Sequence, residues 1–278
     1  MNNETTTTTT TTTGRGSGIK DFLNSSSLIA RVSFILLVFL AFVIVLKLCI
    51  QLLIWLYERT NNSPFLINGM VSGDQMIIIP QHSSREAITI NRSVNAPNGI
   101  EFTWSVWIYI NNLQYQEGQY RHIFSKGNTD IQTNGLNFPN NAPGLYISPH
   151  SNELTIIMNT FDVINEEIKI PDIPINKWIN VIIRCQNKRI DVYINGTITK
   201  SIMLVGVPKQ NYGDVNVAVN GGFSGNISNL KYHDYALGTS AIQSLVSHGP
   251  NTKSAGTSAM NITKPDYLSM RWFFGQQY

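Results

Sequence analysis

Residues 178–196 predict paired β-strands, and they restrict the folds open to this chain more than any other segment. Apolar side chains fall at every second position there, as a half-buried strand requires. They are Ile179, Val181, Ile183 and Cys185, and then Ile190, Val192 and Ile194. The polar residues 186–189 separate these two runs, and Asn195-Gly196 follows the second with a pair that readily forms a type I′ turn. Successive hairpins with one apolar face indicate an antiparallel sheet, so we expect an all-β sandwich.

Composition divides the 278-residue chain into three parts. Residues 1–27 are polar, 28–57 are strongly apolar, and the chain from about residue 70 has the composition of a soluble domain. The last part holds roughly 180–200 residues, enough for one hydrophobic core. Charged residues make up 13% of the chain and the formal net charge is +3. Lysine and arginine are scattered without a basic stripe, which argues against a nucleic-acid partner.

Residues 28–57 predict one transmembrane helix. The run is long enough to cross the hydrocarbon core of a bilayer, and Arg31 and Lys47 are the charges within it. A soluble helix of this length has no need to be apolar on every side, which disfavours a buried core helix. A cleaved signal peptide would have a shorter apolar region ending in small residues, whereas this one ends with Trp55 and Tyr57, which suit a membrane interface. We therefore predict a single uncleaved span and a lipid bilayer as a partner.

The charges that flank the helix predict its orientation. Arg15, Lys20 and Arg31 lie on the N-terminal side, against Arg59 on the other. Positively charged flanks stay in the cytosol, so we expect a cytosolic N-terminus and a C-terminal domain across the membrane.

The remaining segments complete the predicted organisation. Residues 1–27, with nine consecutive threonines at 5–13, should form a disordered tail because they offer nothing to bury. Residues 58–69 are expected to be a linker, 70–249 the sandwich, and 250–278 a C-terminal extension. This extension is too short for another span, and we expect it to pack on the sandwich or to dock on a bilayer or partner.

Further strands are predicted across the sandwich. In residues 102–110 one face carries Phe102, Trp104, Val106, Ile108 and Ile110, and the other carries Trp107 and Tyr109, so both sides of this strand should be covered. Other strands are expected at residues 75–80, 87–90, 144–147, 154–158, 167–170 and 215–219. Many short strands, frequent turn residues and little helical periodicity are typical of an antiparallel sandwich.

Four motifs in order resemble a known family. They are FTWSVW at 102–107, HIFSKG at 122–127, the segment 178–196 ending in YING, and FSGNI at 223–227 followed by Ala236-Leu237. They span about 135 residues and resemble the concanavalin A-like, laminin-G type domains of the lectin and glucanase superfamily. The resemblance implies an antiparallel jelly-roll β-sandwich. It does not imply one ligand, because this fold occurs in lectins, adhesion modules and hydrolases.

A second resemblance concerns the source of the chain. Segments such as GIEFTWSVWIYI at 99–110 look like membrane-anchored proteins of large DNA viruses of algae and protists. This resemblance implies an alternative function, a structural virion protein that links the virion membrane to capsid proteins.

Catalysis is not expected. Jelly-roll glucanases use two carboxylates on one strand, and the nearest acidic pair here is Glu166 and Glu167. Adjacent strand residues point to opposite faces, so these two cannot flank one bond, and we expect them in an exposed polar turn. His122 and His233 are predicted to be polar residues at strand ends. A glycoside hydrolase stays the second alternative.

A calcium ion is the cofactor that the family resemblance implies, held at a loop rim by aspartates and carbonyl oxygens. Asp130, Asp162 and Asp214 are the candidate ligands, although none lies in a spaced acidic motif and each could be a turn residue. No Cys or His pair has the spacing of a zinc site. Cys185 is the only cysteine of the soluble part and is expected to be a buried core thiol.

Ligand binding is the predicted function: a membrane-anchored, non-catalytic recognition module for glycans or a protein partner. Aromatic residues at loop rims could stack on sugars, and the alternative for each is loop packing. The candidates are Tyr115, Tyr120, Phe138 and Tyr212. Glycosylation sequons occur at Asn61, Asn91, Asn195, Asn226 and Asn261, and the tight turn at Asn195 would hinder its modification.

Overall fold

The computed structural model describes residues 28–58, 63–82, 87–96 and 99–255, which fall into two units separated between Asn61 and Asn62. The predicted tail at 1–27, the sequons at Asn61 and Asn261, and residues 256–278 of the C-terminal extension lie outside the described residues, as do the side chains of Trp55 and Tyr57.

Helix α1 (Leu28–Glu58) forms the first unit. Its stretch Arg31–Leu53 has 23 residues with a mean hydropathy of 3.0, and none of it is buried by the rest of the described chain. By length and composition this helix can cross a membrane, a test that a signal sequence also passes.

Within the described residues, the second unit contains thirteen strands. In chain order they are β1 (Met70–Ser72), β2 (Ile77–Ile79), β3 (Val94–Ala96), β4 (Gly99–Asn112), β5 (Arg121–Gly127), β6 (Gly144–Ile147), β7 (Glu153–Met158), β8 (Glu166–Pro171), β9 (Trp178–Gln186), β10 (Arg189–Ile194), β11 (Thr197–Met203), β12 (Asp214–Val217) and β13 (Ser224–His233). A 3₁₀ turn (Val219–Gly221) follows β12, and helix α2 (Thr239–His248) follows β13.

The strands form two antiparallel sheets, which confirms the predicted sandwich. The seven-stranded sheet has the order β1-β13-β4-β9-β10-β11, with β3 beside β4. The six-stranded sheet has the order β2-β12-β5-β6-β7-β8. Each sheet combines hairpin neighbours with strands that are distant in sequence, such as β4 beside β9 and β13, as in a jelly roll.

The hairpin from β10 to β11 forms as its residues predict. Ile194 pairs with Thr197, so Asn195 and Gly196 alone make the turn. Their φ angles are 50° and 78°, the left-handed values that a type I′ turn requires.

Three details of the strand prediction are wrong. Residues 87–90 form no strand, because the Gln81 side chain donates to Ile88 O at 2.9 Å and accepts from Ile90 N at 3.0 Å in place of a neighbouring strand. Strand β12 ends at Val217, where Ala218 enters the left-handed region with a φ of 50°. Glu166 and Glu167 lie inside β8 rather than in a turn before it, and β8 contains the strand predicted at 167–170.

The core lies between the sheets and follows the alternation of β4. Trp104 is almost fully buried, with its ring centroid 5.2 Å from that of Phe124 and 4.9 Å from that of Tyr232. Cys185 lies in the same core with its thiol free, as predicted. Each large apolar side chain buried here contributes about 1.5–3 kcal/mol to the hydrophobic stabilisation of the fold.

Helix α2, which the sequence analysis does not predict, packs on the outer face of the seven-stranded sheet. Ile242 is buried against Ile182 of β9 and against Leu237. Gln243 Nε2 donates to Gly196 O at 3.0 Å, which ties the helix to the β10–β11 turn. The helix therefore forms a third layer over part of the sheet.

Candidate functional site

The outward face of strand β4 provides the floor of a groove. Trp104 and Val106 point into the core, so the alternate residues Ser105 and Trp107 point out of the sandwich. On the neighbouring strand β13, Lys231 lies directly opposite Ser105. The pleat thus brings a serine, an indole and an amine to one surface of the seven-stranded sheet.

Helix α2 and the edge of the sheet form the walls. The groove has a volume of about 570 Å³. It is lined by Phe65, Ser105, Trp107, Asn229, Lys231, Ser244, Leu245, His248, Gly249, Pro250 and Asn251. This volume lies in the range of small-molecule sites.

Trp107 offers the groove an aromatic surface and a hydrogen-bond donor. Its side chain is only 8% exposed, because neighbouring residues of the outer face pack around it. Among the described residues no acceptor bonds the indole N–H, although buried indole groups usually find a partner. The donor is therefore available to a ligand.

Lys231 places a positive charge in the groove without a counter-ion. Its Nζ lies 4.8 Å from the centroid of the Phe65 ring, and no carboxylate pairs with it within the described residues. Burial lowers the pKa of Lys231 from its ordinary value of 10.5. An anionic ligand group would favour the charged form and reverse this shift.

The wall beside Lys231 is fixed by hydrogen bonds. Ser228 Oγ donates to Asn251 O at 2.9 Å and accepts from Asn251 N at 3.0 Å. His248 Nδ1 donates to Ser244 O at 2.5 Å. The groove is therefore a formed feature of the fold.

The four aromatic residues proposed from the sequence lie elsewhere, in two places. Tyr115 donates its hydroxyl to Gly221 O at 3.1 Å, and Tyr120 packs edge-on against Tyr146 at a centroid distance of 6.2 Å. Burial, with smaller effects from Glu167 and Glu153, raises the pKa of Tyr120.

Phe138 and Tyr212 lie near the other end of β5. Asn128 next to that strand end donates to Phe138 O at 3.0 Å, and Tyr212 is 81% exposed in the loop before β12. Strand β5 has seven residues and separates its two ends by about 20 Å. The four rings therefore do not form one rim, and none lines the groove.

The three aspartates proposed for calcium make separate contacts. Asp130 accepts from Asn128 Nδ2 at 2.6 Å, Asp214 accepts from Gln81 N at 2.9 Å, and Asp162 lies in the β7–β8 loop. Across the part of the chain that the structure describes, no three His, Cys, Asp or Glu side chains converge as metal ligands. A calcium site built from one or two of these carboxylates and backbone carbonyl oxygens stays a prediction.

The acidic pair in β8 diverges as expected for adjacent strand residues. Glu166 accepts hydrogen bonds from Thr160 Oγ1 at 2.8 Å, Val205 N at 2.9 Å and Gly206 N at 3.1 Å. Glu167 lies 3.8 Å from Lys169. Glu166 thus holds two loops together rather than facing a cleft.

The two histidines are more buried than strand-end residues would be. His122 lies inside β5, where Nδ1 accepts from Val219 N at 3.2 Å and Nε2 bonds Ser125 Oγ at 2.9 Å. His233 ends β13, as predicted, and is also buried. Burial lowers the pKa of each imidazole to about 3.

Three of the sequons lie within the described residues. Asn91 and Asn226 are half-buried, and Asn195 accepts from Asn180 N at 2.8 Å through its side chain. Modification of these residues stays a prediction.

The chain belongs to the concanavalin A-like lectin/glucanases superfamily. The model of this family matches residues 82–243, more than half of the chain. The sandwich and its topology agree with the assignment, which confirms the resemblance found in the four motifs.

Several solved structures are similar at low identity. The receptor binding domain of botulinum neurotoxin D is 12% identical, over 67% of this chain and 47% of that one, with a TM-score of 0.47. The botulinum neurotoxin serotype D ligand binding domain in complex with N-acetylneuraminic acid is 14% identical, over 65% and 46%, with a TM-score of 0.43. The serotype G binding domain is 15% identical, over 64% and 46%, with a TM-score of 0.43.

This chain thus spans less than half of each of these solved structures. At such TM-scores the similarity supports no statement about a ligand. No curated protein matches the chain significantly. The likeness to viral membrane proteins stays a prediction.

The groove lies on a sheet face, whereas the aromatic candidates for ligand binding in the sequence lie in loops. The available signal was Trp107, which the alternation of β4 turns away from the core. Its position indicated that something covers the outer face. The covering residues, however, come from α2 and from Phe65, which are distant in sequence.

Proposed function

We propose that this protein is a membrane-anchored recognition module that binds a carboxylate-bearing sugar in the groove of the seven-stranded sheet. The single observation that carries the proposal is an unpaired Lys231 amine beside the free indole N–H of Trp107 in a groove of about 570 Å³.

The chemistry of the groove suits an acidic sugar. Carbohydrate rings present apolar C–H faces together with hydroxyl groups, and an indole offers an apolar surface and a donor to both. Asn229, Ser244 and Asn251 add amide and hydroxyl groups to the lining. A sugar carboxylate would form a charge-assisted hydrogen bond with Lys231, the stronger kind of hydrogen bond.

The lining also supports binding rather than hydrolysis. Glycosidases need two carboxylates about 5–10 Å apart on either side of the scissile bond. The described residues that line the groove include neither Asp nor Glu. No contact among the described residues favours the alternatives, a glycoside hydrolase or a structural virion protein bound to capsid proteins.

Membrane anchoring is part of the same proposal. The 23-residue stretch Arg31–Leu53, with its mean hydropathy of 3.0, supports a single span, and the positive N-terminal flank supports a cytosolic tail with the sandwich across the membrane. Protease added to sealed microsomes should digest the tail and spare the sandwich. Digestion of the sandwich without detergent would reverse the orientation.

Matched sugars test the binding site. The full chain in lipid nanodiscs is titrated with methyl β-glucuronide and with methyl β-glucoside, which lacks the carboxylate. A charge-assisted hydrogen bond contributes about 1.5–3 kcal/mol, so we expect glucuronide to bind on the order of 10- to 150-fold more tightly. Isothermal titration calorimetry measures both constants.

A pair of lysine variants provides the control. Lys231→Met should remove the preference for glucuronide, whereas Lys200→Met removes the same charge from an exposed position of β11 and should preserve it. Equal binding of both sugars by the native protein, or a preference that survives Lys231→Met, would contradict the proposal.

A further inference from the structure

A second surface of the sandwich exposes large apolar side chains. Phe161, Met203 and Val205 are 69%, 69% and 68% exposed. Together with Val163, Ile164 and Val207 they occupy the β7–β8 loop and the end of β11 with the loop that follows. We call these six residues the apolar end surface. Soluble domains seldom leave so many large apolar side chains exposed together.

The backbone under this surface is firmly held. Phe161 N donates to Val207 O at 3.0 Å, and the β8 carboxylate of Glu166 accepts from the amides of Val205 and Gly206. A Cβ added to Gly206 would meet Thr160 Oγ1 at 2.6 Å, so the two loops are in close contact. The apolar side chains are therefore displayed by a fixed platform.

Two lysines border the apolar side chains. Lys209 Nζ lies 5.1 Å from the centroid of the Phe161 ring, and Lys188 Nζ donates to Val205 O at 2.9 Å. The nearby carboxylates are Asp162, which is exposed, and Glu166, whose oxygens already accept three hydrogen bonds. Apolar residues with lysines at their border are typical of protein surfaces that lie in a membrane interface.

Strand register places this surface at a particular end of the sandwich. The bridge of Phe65 to β13 sets Ser63 level with His233. The strand pairings from β13 across β4, β9 and β10 to β11 show that Ser201 lies at the same height along the sheet as Ser63 and His233. Ser201 is two residues before Met203. In the sequence, residues 59–62 alone separate Ser63 from the end of α1. The surface thus lies at the end where the chain enters the sandwich from the apolar helix.

We propose that the apolar end surface inserts into the headgroup region of the bilayer that α1 spans, an inference that rests on the proposed membrane span. A second copy of the chain is the other occupant that such a surface would fit, and the experiment separates the two.

The test uses the full chain in nanodiscs with Cys49→Ser, since Cys49 is exposed whereas Cys185 is buried. A fluorescent NBD label is attached at Val205→Cys or, as a control, at Glu117→Cys. Glu117 is exposed in the loop between β4 and β5, at the opposite end of the sandwich. Nanodiscs that contain lipid with a nitroxide near the headgroup should quench most of the emission at position 205 and leave position 117 unchanged.

Phe161→Asp with Met203→Asp should abolish the quenching at position 205 while the circular dichroism of the sandwich is retained. Quenching at position 205 no greater than at 117 would overturn the proposal. If each nanodisc carries two copies of the chain and position 205 is not quenched, the apolar end surface is a dimer interface instead. If the chain does not co-purify with nanodiscs at all, the proposed span fails, which is a separate outcome.

Discussion

The ion pairs of Asp191 test which interactions stabilise the outer face of the seven-stranded sheet. Its carboxylate is 1% exposed and lies 2.8 Å from Arg184 Nη1, 3.2 Å from Arg189 Nε and 2.6 Å from Ser201 Oγ. Arg184 is itself 13% exposed, whereas Arg189 is 50% exposed. Arg184 also donates to Leu237 O at 2.9 Å, so this ion pair supports the segment that leads into α2.

Asp191→Ala should leave Arg184 as a buried charge without its carboxylate. Breaking a buried ion pair in this way costs about 3–5 kcal/mol, and the bond to Leu237 and another to Gln186 favour the lower end. A loss of about 3 kcal/mol corresponds to a fall in Tm of roughly 6–12 °C for a domain of this size. Arg189→Ala removes a half-exposed partner and should cost about 0–1 kcal/mol.

Urea unfolding of the full chain in detergent, followed by tryptophan fluorescence, measures both free energies of unfolding. The slope of each transition should stay unchanged, which shows that the same surface unfolds. If the two variants lost the same stability, or if Asp191→Ala lost less than about 1 kcal/mol, the distinction between buried and exposed ion pairs would fail here.

Three further predictions concern buried groups and one turn. In a Cys49→Ser background, Cys185 should resist thiol reagents at pH 8 until the protein unfolds, because burial raises its pKa to about 12; rapid labelling of the folded chain would contradict this. Burial lowers the pKa of His122 to about 3. As the pH falls below about 6.5, this histidine is therefore protonated in the unfolded chain while it stays neutral in the folded protein. His122 should therefore contribute a stability loss of about 1.4 kcal/mol per pH unit down to about pH 3, and His233, whose pKa burial also lowers to about 3, should contribute a similar loss. In urea titrations at successive pH values, His122→Gln should remove its own share of the slope and leave that of His233; an unchanged slope would contradict this. Gly196→Val should lower the free energy of unfolding by about 1–2 kcal/mol, because its φ is 78° and the Gln243 side chain lies 3.0 Å from the new Cβ; an unchanged urea midpoint would contradict this.

The fold could be predicted in those segments whose sequence patterns involve only residues close in sequence. The alternation in β9 and β10 and the Asn195-Gly196 turn depend on residues close in sequence, and they form as expected. The segment 87–90 has the same apolar alternation, yet the side chain of Gln81 forms hydrogen bonds with its backbone groups in place of a neighbouring strand. No local sequence pattern reveals that contact.

Helix α2 was missed for a different reason. Its apolar residues Ala241, Ile242 and Leu245 do follow helical spacing, but in ten residues this pattern is weak. The groove could not be predicted because Phe65 and α2 are about 180 residues apart in sequence. Only the outward position of Trp107 was available beforehand.

Hydrogen exchange of the full chain in nanodiscs, with and without saturating methyl β-glucuronide, tests most directly where the ligand binds. Slower exchange in the sugar complex is expected in residues 63–66 and 244–251, which form the walls of the groove. Protection confined to the loops at 128–143 and 204–213, or no protection anywhere in the sandwich, would contradict the assignment of the groove.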